Sequence, residues 1–232
     1  MKLAEKFAKE STISLIGVTF GNISRYLFTI IIARWAGVQI LGIYSLANSI
    51  LMIAEAIAKM GLEGGIVRHV SMLNVSKDQG KIRKLVADAI KMTGQSSIIL
   101  TILIILFSGW FVSDVLGEGS ELRATLIVFA LILPFAAISN IGAFATQGLK
   151  LLKYKVVVTQ IIYPLTLVVT AFLALFYWSN IVVVVLPVVV AVIVSLVVIS
   201  IFLSRLLKLD ISHIFSGSWD KNLLVYSLPL MF

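Results

Sequence analysis

The sequence contains no cysteine. That excludes a disulfide framework, a thiol nucleophile and any cysteine-based metal site. Histidine is nearly absent too: His69 and His213 stand alone in separate loops, without ligand spacing, so no metal site is expected. Charged residues make up only 13% of the chain, against about 25% in an ordinary soluble domain. Acidic side chains are the scarcer sign, 11 against 19 basic ones. No Walker A loop or G-x-G-x-x-G signature occurs, and no H-E-x-x-H, G-x-S-x-G or paired-carboxylate arrangement falls in an apolar segment. Catalytic residues and cofactors are therefore not expected, and the chain does not read as an enzyme.

What is there is apolar. Hydrophobic residues are 60% of 232, and the mean hydropathy is +1.08. A bilayer core of about 30 Å needs about 20 mainly apolar residues per helix. Six segments of that kind occur, near 12–33, 40–60, 90–112, 124–147, 156–178 and 181–204. The predicted fold class is all-α: a polytopic membrane protein whose residues 1–220 form a six-helix bundle. Residues 221–232 read as the cut-off start of a seventh helix. The sixth segment is rich enough in valine to suggest a strand, but a run of that length spans as a helix, because a lone strand cannot satisfy its backbone in lipid. Pro187 falls in its first two turns, where a helix tolerates proline best.

The net charge of +8 has a topological explanation. With the N-terminus inside, sixteen of the nineteen lysines and arginines face the cytoplasm, Arg34 and Arg123 face out, and Arg25 lies within a span. Trp35, Trp110 and Trp178 fall at predicted outer ends, where indole rings favour the headgroup layer. The same bias accounts for the Lys81, Arg83, Lys84 cluster, so no nucleic-acid partner is expected. The longest connection, 61–89, carries Val70, Leu73, Ile82, Leu85 and Val86 among basic residues and predicts a short amphipathic helix on the inner membrane face.

Polar groups inside spans are costly and mark function or helix contact. In helix 1, Gly17, Gly21 and Arg25 recur every four residues, so they share a stripe. The glycines form a G-x-x-x-G pair, which lets another helix approach closely. Arg25 lies about 20 Å from the inner end, Asn48 about 18 Å and Glu55 about 8 Å, at 1.5 Å per residue. Asn22 adjoins Arg25. Helix 4 adds Asn140 and Gln147, and helix 5 adds Gln160 and Tyr163 before Pro164, which predicts a bend. Helix 6 offers only Ser195 and Ser200 and is expected to face lipid over most of its surface. Two readings follow: a hydrated cavity lined by helices 1, 2, 4 and 5 with Arg25 as its main charge, or polar side chains that simply bond helix to helix. Arg25 favours the first, because no carboxylate stands at its level.

Two passages resemble a known family. Ile31-Ile32-Ala33-Arg34-Trp35-Ala36-Gly37 followed by Leu41-Gly42-Ile43-Tyr44-Ser45-Leu46-Ala47 resembles the link between the first two helices of polysaccharide flippases. Met60-Gly61-Leu62-Glu63-Gly64-Gly65-Ile66-Val67-Arg68 is similar to that family's exit from helix 2. The family belongs to the multidrug/oligosaccharidyl-lipid/polysaccharide exporter superfamily. The resemblance implies two related six-helix lobes around a V-shaped cavity, of which this chain is the first. It implies transport of lipid-linked glycans across the cytoplasmic membrane by alternating access. The implied partners are a lipid-linked glycan, membrane lipids and a second lobe from downstream sequence or another chain. On this reading Arg25, with Asn22, Asn48 and Asn140, meets the anionic headgroup, and Glu55 is a candidate coupling residue. The alternatives are a drug/cation antiporter of the same superfamily, the membrane subunit of an ATP-driven exporter, and an inactive truncated membrane fragment. An antiporter should hold acidic residues in its cavity, where only Glu55 qualifies. The cytoplasmic loops are too short to dock a nucleotide-binding partner.

Overall fold

A computed structural model describes residues 2–76, 78–115, 119–178 and 180–207. Among them there are helices and no strands. In chain order they are α1 (Lys2–Ile31), α2 (Val38–Lys59), α3 (Leu62–Val75), α4 (Gln79–Trp110), α5 (Ser120–Gly148), α6 (Leu152–Val156), α7 (Tyr163–Leu175) and α8 (Val182–Leu207). π-helical turns extend α1 over Ile32–Ala36 and α4 over Phe111–Val115, and a third, Val157–Ile162, joins α6 to α7. Six spans are long and apolar enough to cross a bilayer: Glu10–Ala36, Val38–Lys59, Gln79–Ser113, Ser120–Gly148, Leu152–Leu175 and Val182–Leu207. The protein is an all-α, multi-pass membrane bundle. The expected seventh helix at 221–232 lies outside the described residues.

In lipid the apolar surface of a helix gains little by meeting another, so small side chains and hydrogen bonds decide who packs on whom. The fourth span shows this best. More than half of it, 56%, is buried, against 22% for the second and third spans. Ala130, Ala137, Ala143 and Ala145 are buried along it, and it packs against α2, α3, α4 and α8. The buried Thr101 hydroxyl of α4 donates to the Ala130 carbonyl at 2.7 Å. At the far end, a Cβ on Gly148 would stand 2.7 Å from Cβ of Val70, so α3 lies directly on the end of α5. Ser71 Oγ and Asn74 Nδ2 of α3 donate to the Gly148 and Leu149 carbonyls at 3.0 and 3.3 Å, groups that a helix end leaves without partners.

Three expectations need correction. The 61–89 connection does hold a short helix, α3, but it takes only part of the residues expected in it. Leu62, Ile66 and Val70 belong to α3, whereas Ile82, Leu85 and Val86 sit in α4, which starts at Gln79 rather than near 90. Its 32 residues reach about 48 Å at 1.5 Å per residue, well beyond a bilayer core. Its first turns therefore continue past the membrane and bury Ile82, Val86 and Ala89 against the α3 end of the bundle. Arg83 there has a structural job: its Nε donates to the Leu207 carbonyl at 2.8 Å, closing the C-terminal end of α8. Second, the fifth span begins at Leu152 rather than 156. Third, α8 packs more closely than its few polar residues suggest. Its span is 44% buried, with a valine and alanine ridge (Val184, Val188, Ala191, Val192) in the core. β-branched side chains hold one rotamer in a helix and make a firm packing surface without polar groups, so a scarcity of polar residues did not mean lipid exposure.

Candidate functional site

A cavity of about 700 Å³ opens between spans one, two, four, five and six. Arg25, Asn48, Glu55 and Asn140 all line it. Asn22 does not. It is exposed, and its Oδ1 accepts from Arg25 Nη1 at 3.3 Å from outside the cavity wall. Gly17 and Gly21 lie against the start of the fifth span. A Cβ on Gly17 would collide with Val156, and one on Gly21 would sit 2.7 Å from Gln160 Oε1 and 2.8 Å from the Gln160 carbonyl oxygen. The stripe therefore brings the backbone of α1 onto the π-helical turn at its closest point.

That approach places Arg25. Its Nη1 also donates to Gln160 Oε1 at 3.3 Å, and its Nη2 donates to the Thr159 carbonyl at 3.2 Å. All three partners are neutral, and the bonds are at the long end of the ordinary range. No carboxylate of the described residues stands within ion-pair distance of Arg25. A deep guanidinium held only by neutral oxygens keeps its full charge for a ligand, and its planar fork suits a phosphate or carboxylate.

The end of the cavity near α3 is organised differently. Asn140 Nδ2 donates to Glu55 Oε1 at 2.6 Å, and Lys59 Nζ reaches the same oxygen at 3.2 Å. Lys59 also pairs with Glu63 at 2.5 Å. Glu55 is thus engaged by a cation and an amide, while Asn48 finds only the thioether of Met52, at 3.7 Å. One lysine is thus shared by two carboxylates, Glu55 and Glu63, and the trio keeps one net negative charge at this end of the cavity.

Among the lining residues that the sequence reading did not place in the cavity, four bear on its chemistry. Lys155 lies in the first turns of the fifth span, lines the cavity, donates to Gln147 Oε1 at 2.8 Å and sits 3.5 Å from the centroid of the Phe144 ring. The signal was present, since residues 155, 159 and 163 step by four along one face, but the helix was started one residue too late to include it. Glu63 enters through α3. Ser195 comes from α8, the helix expected to face lipid; its hydroxyl is buried and has no hydrogen-bond partner. Tyr44 lines the wall beside Phe28, with ring centroids 5.2 Å apart edge-on, and is braced by Phe129 at 6.3 Å.

Chemically the cavity offers one deep cation without a carboxylate partner, Arg25, a second cation, Lys155, near the two carboxylates Glu55 and Glu63, amide and hydroxyl groups, and apolar walls from Leu51, Leu167 and Val192. It presents no nucleophile beside a base and, among the described residues, no cluster of side chains that could hold a metal ion. Concave, mostly apolar and carrying a few convergent polar groups, the site has the character of a binding cavity.

Comparison with known proteins agrees with a membrane protein of glycan metabolism. Stage V sporulation protein B of Bacillus subtilis (strain 168) is 25% identical over 138 residues, covering 58% of this chain and 26% of that protein. The match takes in about a quarter of that relative's length. The family model described as "Polysaccharide biosynthesis protein" matches residues 7–232. With nearly every residue inside that match, the chain belongs to the polysaccharide biosynthesis protein family.

Proposed function

We propose that the chain is the cavity-bearing lobe of a flippase that carries lipid-linked oligosaccharide or polysaccharide precursors across the cytoplasmic membrane by alternating access. The N-terminus and the Glu55–Lys59–Glu63 end face the cytoplasm, as the sixteen inner basic residues require. A second lobe supplies the facing wall of the half-open cavity. The observation that carries the proposal is the state of Arg25: a cation deep in the membrane, lining a 700 Å³ cavity, with only neutral hydrogen-bond partners. Its natural complement is the anionic diphosphate that joins a glycan to its lipid carrier. Asn48 and Asn140 provide amides for sugar hydroxyls, and Asn22 steadies the guanidinium from behind. Glu55, at the inner end, is the group through which a coupling cation would act.

A drug/cation antiporter needs a free acidic charge in the cavity. Here the two lining carboxylates, Glu55 and Glu63, share Lys59, whereas Arg25 has only neutral partners, and that contrast supports an anionic cargo instead.

The test is glycan export per folded molecule in the complete transporter. Arg25→Ala should abolish export without harming insertion, because removing a deep charge does not penalise the span. Arg25→Lys should restore only part of it, since lysine keeps the charge and loses the fork. Near-normal export by Arg25→Ala would overturn the proposal.

A further inference from the structure

The fifth span carries an irregularity that bears directly on Arg25. Over Val157–Ile162 the backbone follows π-helical spacing, in which each N–H bonds the carbonyl five residues back. Tyr163 still obeys this rule, its N–H bonding the Val158 carbonyl. The next donor should come from residue 164 and bond Thr159. Residue 164 is proline, which has no N–H. The Thr159 carbonyl is therefore deprived of its own helix's donor inside a membrane span, where a lone carbonyl is costly. The guanidinium of Arg25, arriving from α1 across Gly21, fills that vacancy with Nη2 at 3.2 Å.

We infer that Pro164 is a positioning residue for Arg25: by withholding its N–H it creates the acceptor that fixes the guanidinium at the cavity wall. The Thr159 carbonyl holds Nη2, and the Asn22 and Gln160 side-chain oxygens hold Nη1. Of the five N–H donors of an arginine, at least two then remain for one phosphoryl group, enough for a bidentate bond. The holding contacts orient the fork and leave its charge unspent. A residue with an N–H at 164 would close the helix's own bond to Thr159, release Nη2 and let the side chain wander. This inference rests on the proposal that Arg25 meets a diphosphate.

The experiment measures the affinity of a polyprenyl diphosphate for the complete transporter in nanodiscs, with inorganic pyrophosphate as a second probe. Variants are Pro164→Ala, Pro164→Leu, Arg25→Ala and the Arg25→Ala, Pro164→Ala pair. Either substitution at 164 restores the donor, and leucine keeps the span apolar should alanine express poorly. The expected result is about tenfold weaker binding of the lipid probe on either 164 substitution, the scale of one lost charge-assisted hydrogen bond. Thermal stability should be unchanged or raised. In the Arg25→Ala background, Pro164→Ala should have no further effect. A purely structural proline would instead lower the melting temperature in both backgrounds alike, and that outcome overturns the inference. So does unaltered affinity at 164 while Arg25→Ala abolishes binding, a result that leaves the diphosphate proposal standing. Retained affinity in Arg25→Ala would overturn both. Pyrophosphate weakened in step with the lipid places the effect at the headgroup; an effect on the lipid alone places it at the polyprenyl chain and overturns the inference.

Discussion

Asn140 and Glu55, 85 positions apart in sequence, meet at 2.6 Å and join the second and fourth spans at the end of the cavity near α3. Polar bonds between membrane helices are worth about 0.6 kcal/mol on average and up to about 1.7. Asn140→Leu should therefore lower the unfolding free energy in bilayers by about 1 kcal/mol, measured by steric trapping. An unchanged unfolding free energy in Asn140→Leu would contradict the contact.

Gly21 and Gly42 make a matched pair. A Cβ at Gly21 meets the Gln160 backbone and side chain, whereas one at Gly42 has nothing within 4 Å. Gly21→Ala should destabilise by roughly 1–3 kcal/mol, the usual cost of overpacking, and should free Arg25 from Gln160. Gly42→Ala, in the first turns of α2, should be neutral or slightly stabilising, since alanine is the better helix former. Equal melting temperatures for the two variants would contradict the close approach of α1 to the fifth span.

Topology is open to a clean test in a chain without cysteine. Cysteines at Gly119, before α5, and at Gln79, the first residue of α4, lie at opposite ends of the bundle. With an impermeant thiol reagent on intact cells, Gly119→Cys should label and Gln79→Cys should not. The reverse pattern would invert the proposed orientation.

Asp78 caps α4. Its side chain accepts from the Lys81 N–H at 3.1 Å and pairs with Lys81 Nζ at 2.9 Å. These hydrogen bonds, to the Lys81 side chain first and its backbone second, hold the Asp78 carboxyl below its ordinary pKa. The sign is that of a depressed acid: the cap is present above the ordinary carboxylate range and is lost as pH falls through its lowered value. Amide exchange over 79–82 should therefore quicken on acidification beyond the intrinsic change. Asp78→Asn should keep the cap and remove the pH dependence, because asparagine caps equally well. An unchanged exchange profile in Asp78→Ala would dismiss the cap.

Much of this architecture is legible in the residues. Six spans follow from apolar length, and their ends from lysine, arginine and tryptophan. Arg25, Asn48, Glu55 and Asn140 announce themselves because a polar side chain in lipid is rare enough to notice. What stays hidden obeys rules that hydropathy does not encode. The π-helical turn at Val157–Ile162 is a matter of backbone spacing. The length of α4 beyond the bilayer depends on α3 and α8 covering its first turns. The burial of α8 depends on shape complementarity between its valines and the small residues of α5. Lys155 hides for a related reason: beside Lys153 it reads as one more inner-loop charge, and only its place four residues before Thr159 turns it toward the cavity.

The wide turn in the fifth span also has an arithmetic side. A π-helical turn holds one residue more than an α-helical one. Slipped into a regular helix, an extra residue would rotate everything after it by about 100°. Swallowed by the wider turn, it leaves Leu167 and Ala171 buried on the bundle side. The fifth span thus takes up one more residue over Val157–Ile162 without turning its buried face away from the bundle. A cousin without that residue should align with a single gap inside a transmembrane segment, and the presence or absence of proline just after the gap should follow it.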